Sequence, residues 1–403
     1  MLQKIRTNYQ HTIYACYIGY ITQAIINNFG PLLFLTFQKS YGIPLEQVGL
    51  LITINFGTQL IVDFLAAKFA DRIGHRRLMV FAHAAAVAGL LLMAFLPGLL
   101  PVPFVGLVIA VVINAIGGGL TEVLISPIVE ACPTEGKAAA MSMLHSFYCW
   151  GCVGVVLIST LLFTLFGIEN WRFVTMIWAL VPLFNIFYFS QVPIETLTEE
   201  GEGMTIGQLF RSKLFWILVI VMVAAGASEQ AMSQWASAFA ESGLKVSKTV
   251  GDLAGPCFFS IMMGISRVVH SKLANKINLY VYLGISGAAC VASYLIACLS
   301  PWPWLSLIGC GLTGFSVGAM WPGAFSLAGE ECPKGGTSMF ALLALAGDVG
   351  CSSGPTLIGF MSGAFGDNLK TGLLFGIIFP VLLVLGLLLV KGIVRGKMQE
   401  SGQ

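Results

Sequence analysis

Charge is scarce in this chain. Only 10% of its 403 residues are charged, whereas 57% are hydrophobic and the mean hydropathy is +0.86. A soluble globular protein carries roughly 25% charged residues, because its surface must meet water. A soluble chain of this length with so little charge could not cover its own core. The composition therefore excludes an ordinary soluble protein and indicates an integral membrane protein.

The patterns of several other functions are also missing. The net charge is only +2, so nothing suggests nucleic-acid binding. The ten cysteines lie mostly inside apolar runs and lack the spacing of a metal site or a disulfide framework. We find no metal-ligand cluster, nucleophile motif or phosphate-binding loop. The sequence therefore predicts no catalytic residue, no metal, no cofactor and no enzyme activity.

The N-terminus lacks the features of a removable signal. Its first residues are basic and an apolar run follows, as in a secretory signal peptide. A signal peptide would end in a small-residue cleavage site, whereas this run continues with polar and aromatic residues to Phe37. We interpret it as a retained first membrane span.

Long apolar runs, by contrast, are abundant. About 20 helical residues cross the hydrocarbon core of a bilayer. Runs of that length predict an all-α membrane protein with about twelve transmembrane helices in two six-helix halves, 1–192 and 212–403, joined by a cytoplasmic linker at 193–211. The predicted spans lie near residues 12–36, 46–69, 78–97, 103–129, 139–166, 171–192, 212–240, 249–270, 279–299, 302–328, 337–364 and 371–394.

The basic residues predict the orientation. With an even number of spans, both termini lie on one side of the membrane. That side holds sixteen of the 21 Lys and Arg residues, and cytoplasmic loops carry an excess of such residues. We therefore expect a multi-pass protein of the cell membrane (inner or plasma membrane) with both termini in the cytoplasm. The five remaining cations are Lys39, Arg172, Lys245, Lys248 and Lys370.

The two halves repeat each other. Glu130-Ala-Cys-Pro133 recurs 200 residues later as Glu330-Glu-Cys-Pro333, and residues 66–74 have a weaker echo at 270–278. Each pair falls at the same place in its half. Parallel repeats about an axis along the membrane normal form one large class of transporters, with the substrate near the midplane. The repeat therefore predicts a duplicated six-helix unit around a central cavity.

The segment after the second predicted span carries a family motif. It reads Ala67-Lys-Phe-Ala-Asp71-Arg72-Ile-Gly74-His-Arg76-Arg77. This resembles the signature loop of the major facilitator superfamily, Gly-x-x-x-Asp-(Arg/Lys)-x-Gly-x-(Arg/Lys)-(Arg/Lys), with alanine at the first glycine. Gly74 permits a tight turn, and Asp71 can meet the N–H groups of a helix N-terminus. An ordinary basic loop is the alternative; the resemblance implies a secondary transporter that works by alternating access.

Shorter patches resemble the fucose permease-like sugar–proton symporters. Their fourth span carries Glu-x-x-x-Asn-Pro, and this chain has Glu122-Val-Leu-Ile-Ser126-Pro127; residues 141–151 and 320–327 match patches of their fifth and tenth spans. Two departures stand out. Asn27-Asn28 replace an acidic residue beside an asparagine, and His145 replaces a glutamine. The resemblance implies proton-coupled sugar transport, and the departures imply different ligand-facing chemistry.

Polar side chains inside the predicted spans are the candidate substrate site. A polar group in hydrocarbon is costly, so one that faces a cavity is a functional candidate. Gln230, Ser233, Gln234 and Ser237 share one helical face beside Glu229, and a flat Trp235 nearby could stack on a hydroxylated ring. Hydrogen bonding between helices is the alternative role. The predicted substrate-binding residues are Asn27, Asn28, Gln59, His145, Tyr148, Glu229, Gln230, Gln234, Trp235 and Trp321.

Three acids are candidate proton carriers: Glu122, Glu229 and Asp348. Glu122 lies in mid-span, where a buried carboxyl group could load and release a proton; a carboxyl that only positions helices is the alternative. Asp348 lies beside Gly347 and near Gly350, and these glycines allow either bending or close packing.

The sequence thus predicts a monomeric, bilayer-embedded symporter that moves protons together with a small polar solute such as a sugar. The alternative is an exporter of amphipathic compounds or drugs by proton antiport, with an apolar cavity rich in Phe and Met. Against the alternative, the fourth span has Ile113 and Asn114 where the superfamily's exporters tend to carry an arginine.

Overall fold

The computed structural model describes residues 2–133, 137–195, 204–273, 277–332 and 334–401. Within these residues, twelve helices are long and apolar enough to cross a membrane, which confirms the predicted all-α architecture. We number them spans 1 to 12: Tyr9–Tyr41, Leu45–Ala66, His75–Leu99, Pro103–Val129, Ser146–Phe166, Ile168–Gln191, Lys213–Ser233, Lys248–His270, Leu279–Leu299, Pro303–Glu331, Met339–Ala364 and Leu369–Val394.

The chain divides into two compact units, Met1–Glu199 and Glu200–Gln403, with spans 1 to 6 in unit 1 and spans 7 to 12 in unit 2. The predicted linker contains a short helix, Ile206–Arg211, that composition did not predict. It begins with a capping box, in which the Thr205 hydroxyl accepts from the Gln208 N–H and the Gln208 side chain accepts from the Thr205 N–H.

Small residues allow spans 3 and 4 of unit 1 to pack closely. A Cβ atom on Gly117 would lie 2.5 Å from the carbonyl oxygen of Ala82, and one on Gly89 would lie 2.5 Å from the Cβ of Asn114. No side chain fits at such distances. Helices in lipid associate through close packing and polar contacts, because lipid removes the hydrophobic drive between them.

Spans 7 and 11 form the equivalent close contact in unit 2. A Cβ on Gly226 would lie 2.3 Å from the carbonyl oxygen of Gly347, and one on Gly350 would lie 2.1 Å from that of Val223. Of the two roles predicted for the span 11 glycines, the structure shows close packing.

Several spans are interrupted. Span 1 changes to a 3₁₀ turn at Gly30–Leu33, where Pro31 supplies no backbone N–H. Beyond span 7 the chain continues into a π-helical turn at Phe239–Gly243, and span 8 contains another at Leu253–Cys257. Such π turns are rare and frequently occur at functional sites. Hydropathy cannot predict them, because a shift in hydrogen-bond register leaves hydropathy unchanged.

Candidate functional site

A chain of hydrogen-bonded amides connects spans 1, 2 and 4 in unit 1. Gln23 Nε2 donates to Gln59 Oε1 and to Glu122 Oε2, in both cases over 2.8 Å. Gln59 Nε2 donates to Asn27 Oδ1 at 3.0 Å, and Asn55 Nδ2 donates to the same oxygen at 3.1 Å. Four hydrogen bonds therefore join one carboxyl group to four amides.

Helical spacing and one glycine position this chain. Gln23 and Asn27 are four residues apart in span 1, and Asn55 and Gln59 are four apart in span 2, so each pair shares one helical face. A Cβ on Gly118 of span 4 would lie 3.1 Å from Gln23 Oε1 and 3.2 Å from Gln59 Cδ. A glycine at that position lets the two amides approach span 4.

The amide chain contains three of the predicted site residues, Asn27, Gln59 and Glu122. Sequence reasoning missed Gln23, which makes two of the four bonds and is only 1% exposed. Its spacing of four residues from Asn27 was the available signal. An isolated glutamine in an apolar span does not show which neighbouring helix it meets.

Asn28 and Tyr148 lie elsewhere in unit 1. Asn28 Nδ2 donates to Cys152 Sγ at 3.2 Å, which links span 1 to span 5. The half-buried Tyr148 ring packs edge-on against Tyr20, whose hydroxyl shares a hydrogen bond of 3.2 Å with Ser126 in span 4. The side chain of the predicted site residue His145 is outside the described part of the chain.

The signature loop forms the tight turn expected at Gly74. This residue has φ +95° and separates the helix that ends at Ile73 from the one that begins at His75. Arg76 Nη1 donates to the carbonyl oxygens of Phe189 and Ser190, at 3.2 and 3.1 Å. A cation at this C-terminal end of span 6 satisfies terminal carbonyls and complements the helix dipole.

Of the three remaining signature residues, the structure describes the side chain of one. Arg77 is exposed. The side chains of Asp71 and Arg72 lie outside the described residues, so the expected contact between Asp71 and a helix N-terminus stays a prediction.

The predicted polar face of span 7 continues into span 8 through an ion pair. Glu229 Oε2 lies 3.7 Å from Arg267 Nη2. Gln230 Nε2 donates to Glu229 Oε1 at 3.3 Å, and its Oε1 accepts from Gln234 Nε2 and Ser233 Oγ, both at 3.1 Å. Sequence reasoning placed Arg267 among the cytoplasmic cations and did not predict this pair.

Both members of the pair lie within candidate membrane spans, Glu229 in span 7 and Arg267 in span 8. Charged side chains within membrane spans are usually paired and functional.

The two predicted aromatic site residues of unit 2 differ in their surroundings. Trp235 is fully buried, and its indole N–H donates to the carbonyl oxygen of Pro355 at 2.9 Å. Stacking of a solute on this ring therefore requires span 7 to rearrange. The half-buried Trp321 lies over Gly347, where a Cβ would come within 2.3 Å of Trp321 Cη2. The neighbouring Asp348 is buried.

A second ionic cluster lies near the start of span 8. Asp252 is fully buried and accepts hydrogen bonds from Ser237 Oγ and, at 2.9 Å, from Lys248 Nζ. Ser237 thus bonds to span 8 rather than to Gln230 and Gln234. Asp252 is not among the site residues predicted from the sequence.

These features define a polytopic membrane protein of the transporter class: two units of six spans each, with acids and amides held at membrane depth. The chain belongs to the Major Facilitator Superfamily, whose family model matches residues 16–355. It is a transporter of this superfamily, as its signature loop implied. No curated protein matches the chain.

Solved structures of other transporters share the fold. A bacterial homolog of the human lysosomal transporter Spinster, inward-facing and occupied, is 16% identical with a TM-score of 0.77, over 95% of this chain and 96% of that one. A D-xylose-proton symporter is 14% identical with a TM-score of 0.73, over 95% and 97%. A mutant of the nucleoside transporter NupG is 15% identical with a TM-score of 0.75, over 94% and 98%. At these identities the likeness shows the fold alone.

Proposed function

We propose that the chain is a proton-coupled symporter that carries a small polar solute, such as a sugar, by alternating access and without chemical conversion. The observation that carries this proposal is the position of Glu122. It is the acid of the unit 1 amide chain, and Gln23 donates to it inside a membrane span. The chain would work as a monomer.

The chemistry of the amide chain suits a group that gains and loses a proton. A carboxylate only accepts hydrogen bonds, whereas a carboxylic acid also donates one. An amide offers both a donor and an acceptor, so an amide neighbour can serve either form of Glu122. A lysine or arginine partner would instead favour the ionised form alone.

The chemistry of the predicted substrate-binding residues favours a hydroxylated solute. The predicted contacts supply amides and hydroxyls, such as Asn28, Tyr148, Gln230 and Gln234, and these groups pair well with solute hydroxyls. The motif patches shared with the fucose permease-like symporters, and the fold shared with a D-xylose-proton symporter, support a sugar. A thermal-shift screen of the purified protein against sugars, amino acids and nucleosides identifies the solute, because a ligand stabilises the state it binds.

Replacing Glu122 with glutamine tests the proton site. Glutamine mimics the protonated carboxyl permanently, so the solute should still bind. Exchange of labelled for unlabelled solute in liposomes should continue, because exchange needs no net proton movement. Accumulation of the solute driven by a pH gradient should be lost.

The matched control is Thr121→Val, which changes the adjacent residue, whose hydroxyl bonds only to its own helix at Gly117 O in the described contacts. It should accumulate solute as the parent does. If Glu122→Gln accumulates solute equally well, Glu122 is structural, and coupling must be sought at Glu229 or Asp348.

A further inference from the structure

The amide chain of unit 1 has a direction. Each bond is donated from an amide NH₂ to an oxygen, and the donor at the Glu122 end is Gln23. This is the direction that an ionised carboxylate requires, because a carboxylate can only accept. The other end is Asn55, which donates to Asn27 and is half-buried.

The same heavy-atom positions allow the opposite direction. A side-chain amide turned by 180° exchanges its oxygen and its NH₂ with almost no change of shape. If Glu122 carries a proton and donates it to Gln23, the Gln23 oxygen must face Glu122 and Gln59. Gln59 then donates to Gln23 and turns its oxygen to Asn27. Asn27 in turn donates to both Gln59 and Asn55, so all four bonds are kept.

Intermediate arrangements are unfavourable. If only some of the amides turn, two oxygens or two NH₂ groups face each other at the junction and one bond is lost. Gln23, Gln59 and Asn27 are at most 5% exposed, so water does not readily replace that bond. A buried polar group without its partner costs about 1–3 kcal/mol. The four amides should therefore turn together.

We infer that protonation of Glu122 reverses the direction of all four hydrogen bonds in the amide chain. A proton bound in span 4 therefore determines whether the oxygen or the NH₂ of Asn55 faces away from Asn27. When Glu122 is ionised, Asn55 donates to Asn27 and its oxygen is available to other groups. When Glu122 is protonated, Asn55 accepts from Asn27 and its NH₂ is available instead. This inference rests on the proposed role of Glu122 as the proton carrier, and it adds Gln23 as the residue that positions the first link.

The orientation in the structure has a local reason. Gln23 Oε1 is buried, and within the described residues it has no hydrogen-bond partner. Reversal would put the Gln23 NH₂ at that position, beside Gly118. Buried N–H groups without partners are rarer in proteins than buried carbonyl oxygens without partners. The reversed direction is therefore the costlier one until an acceptor reaches this position.

Other titratable groups lie near the amide chain, and their titration must be distinguished from that of Glu122. Asp63 of span 2 lies against span 4, with its Oδ1 2.9 Å from the site of a Cβ on Gly119. Tyr20 of span 1 shares a hydrogen bond with Ser126, one turn further along span 4, and its ring packs against Tyr148 of span 5. The side chain of His145 in the same helix as Tyr148 is outside the described residues. Asp63, Tyr20 and Tyr148 contribute to none of the four bonds of the amide chain.

Infrared difference spectroscopy of the purified full-length protein without any solute tests the inference. Asparagine labelled with ¹³C at the side-chain carbonyl reports on Asn27, whose oxygen accepts two bonds of the amide chain in one direction and neither of them in the other. Lowering the pH should produce a carboxylic acid band that Glu122→Gln lacks. The Asn27 carbonyl band, assigned by its loss in Asn27→Ser, should shift over the same pH range.

Gln59→Met removes the amide that connects Gln23 to Asn27. It therefore separates the titration of Glu122 from the response of Asn27. The Glu122 band should remain and the Asn27 shift should be lost, while Thr121→Val should keep both. Gln23→Met interrupts the chain at its first link and serves if Gln59→Met does not fold. An Asn27 shift that persists in these variants, or that is missing from the parent while Glu122 titrates, overturns the reversal and leaves the proposed function standing. Absence of a Glu122 band at every pH overturns both.

Discussion

Replacing Arg267 with methionine should destabilise unit 2, because the carboxylate of Glu229 loses the cation that faces it. The two charged groups lie 3.7 Å apart, and their side chains are 28% and 11% exposed, Arg267 being the more exposed. A charge within a membrane span is costly when nothing compensates it. Methionine keeps much of the length of the arginine stem, so the loss of charge is the main change.

The size of the effect follows from the distance. Two unit charges 3.7 Å apart attract by about 4.5 kcal/mol at an effective dielectric constant of ~20. Solvent screening of the exposed part of the guanidinium reduces this, so we expect Arg267→Met to lower the free energy of unfolding by about 2–3 kcal/mol. The double variant Glu229→Gln with Arg267→Met should recover most of the loss, because it leaves no lone charge.

Denaturant titration of the purified protein in detergent, followed by tryptophan fluorescence, measures these differences as a double-mutant cycle. Arg77→Met is the control, since Arg77 is exposed and its loss should change stability by no more than about 0.5 kcal/mol. Glu229→Gln alone completes the cycle. If the losses of Arg267→Met and Glu229→Gln simply add in the double variant, Glu229 and Arg267 are not energetically coupled and the reasoning is wrong.

Two further predictions address packing and orientation. Gly350→Val should destabilise unit 2 by more than about 3 kcal/mol in the same titration, because its Cβ would lie 2.1 Å from Val223 O; Gly264→Ala, with nothing within 4 Å, should be nearly neutral. A reporter fused after Gln403 that is active only in the cytoplasm should give a signal. Activity of a reporter that works only outside the membrane would reverse the predicted orientation.

The fold was predictable because a bilayer imposes a length on each helix. About 20 apolar residues are needed for each crossing, and this requirement leaves a strong pattern in the sequence. The interruptions within spans leave no such pattern. The predicted span 212–240 contains the end of the α-helix at Ser233, and the side chains that follow are as compatible with a continuous helix as with the observed break.

Several residues of the candidate site could be predicted from the sequence, but the contacts between them could not. Asn27, Gln59 and Glu122 were recognisable as polar groups at membrane depth, each in a different span. Which of them meet depends on the rotation of each helix about its axis, and a polar residue in an apolar helix does not report that rotation. Gln23 and Arg267 were missed for the same reason, since the importance of each comes from a partner in another span.

The surroundings of Glu122 in unit 1 differ from those of Glu229 in unit 2, and the difference bears on which acid carries the proton. In unit 1, Glu122 accepts a hydrogen bond from the neutral amide of Gln23, and the amide chain can keep its four bonds in either protonation state. In unit 2, Glu229 faces the guanidinium of Arg267, which keeps its charge at any physiological pH. A proton on Glu229 would remove the counter-charge of that cation within a membrane span. Proton uptake at Glu229 therefore carries an electrostatic cost from Arg267, whereas the amide chain keeps its four bonds in either state of Glu122, and this difference favours Glu122 as the residue that carries the proton.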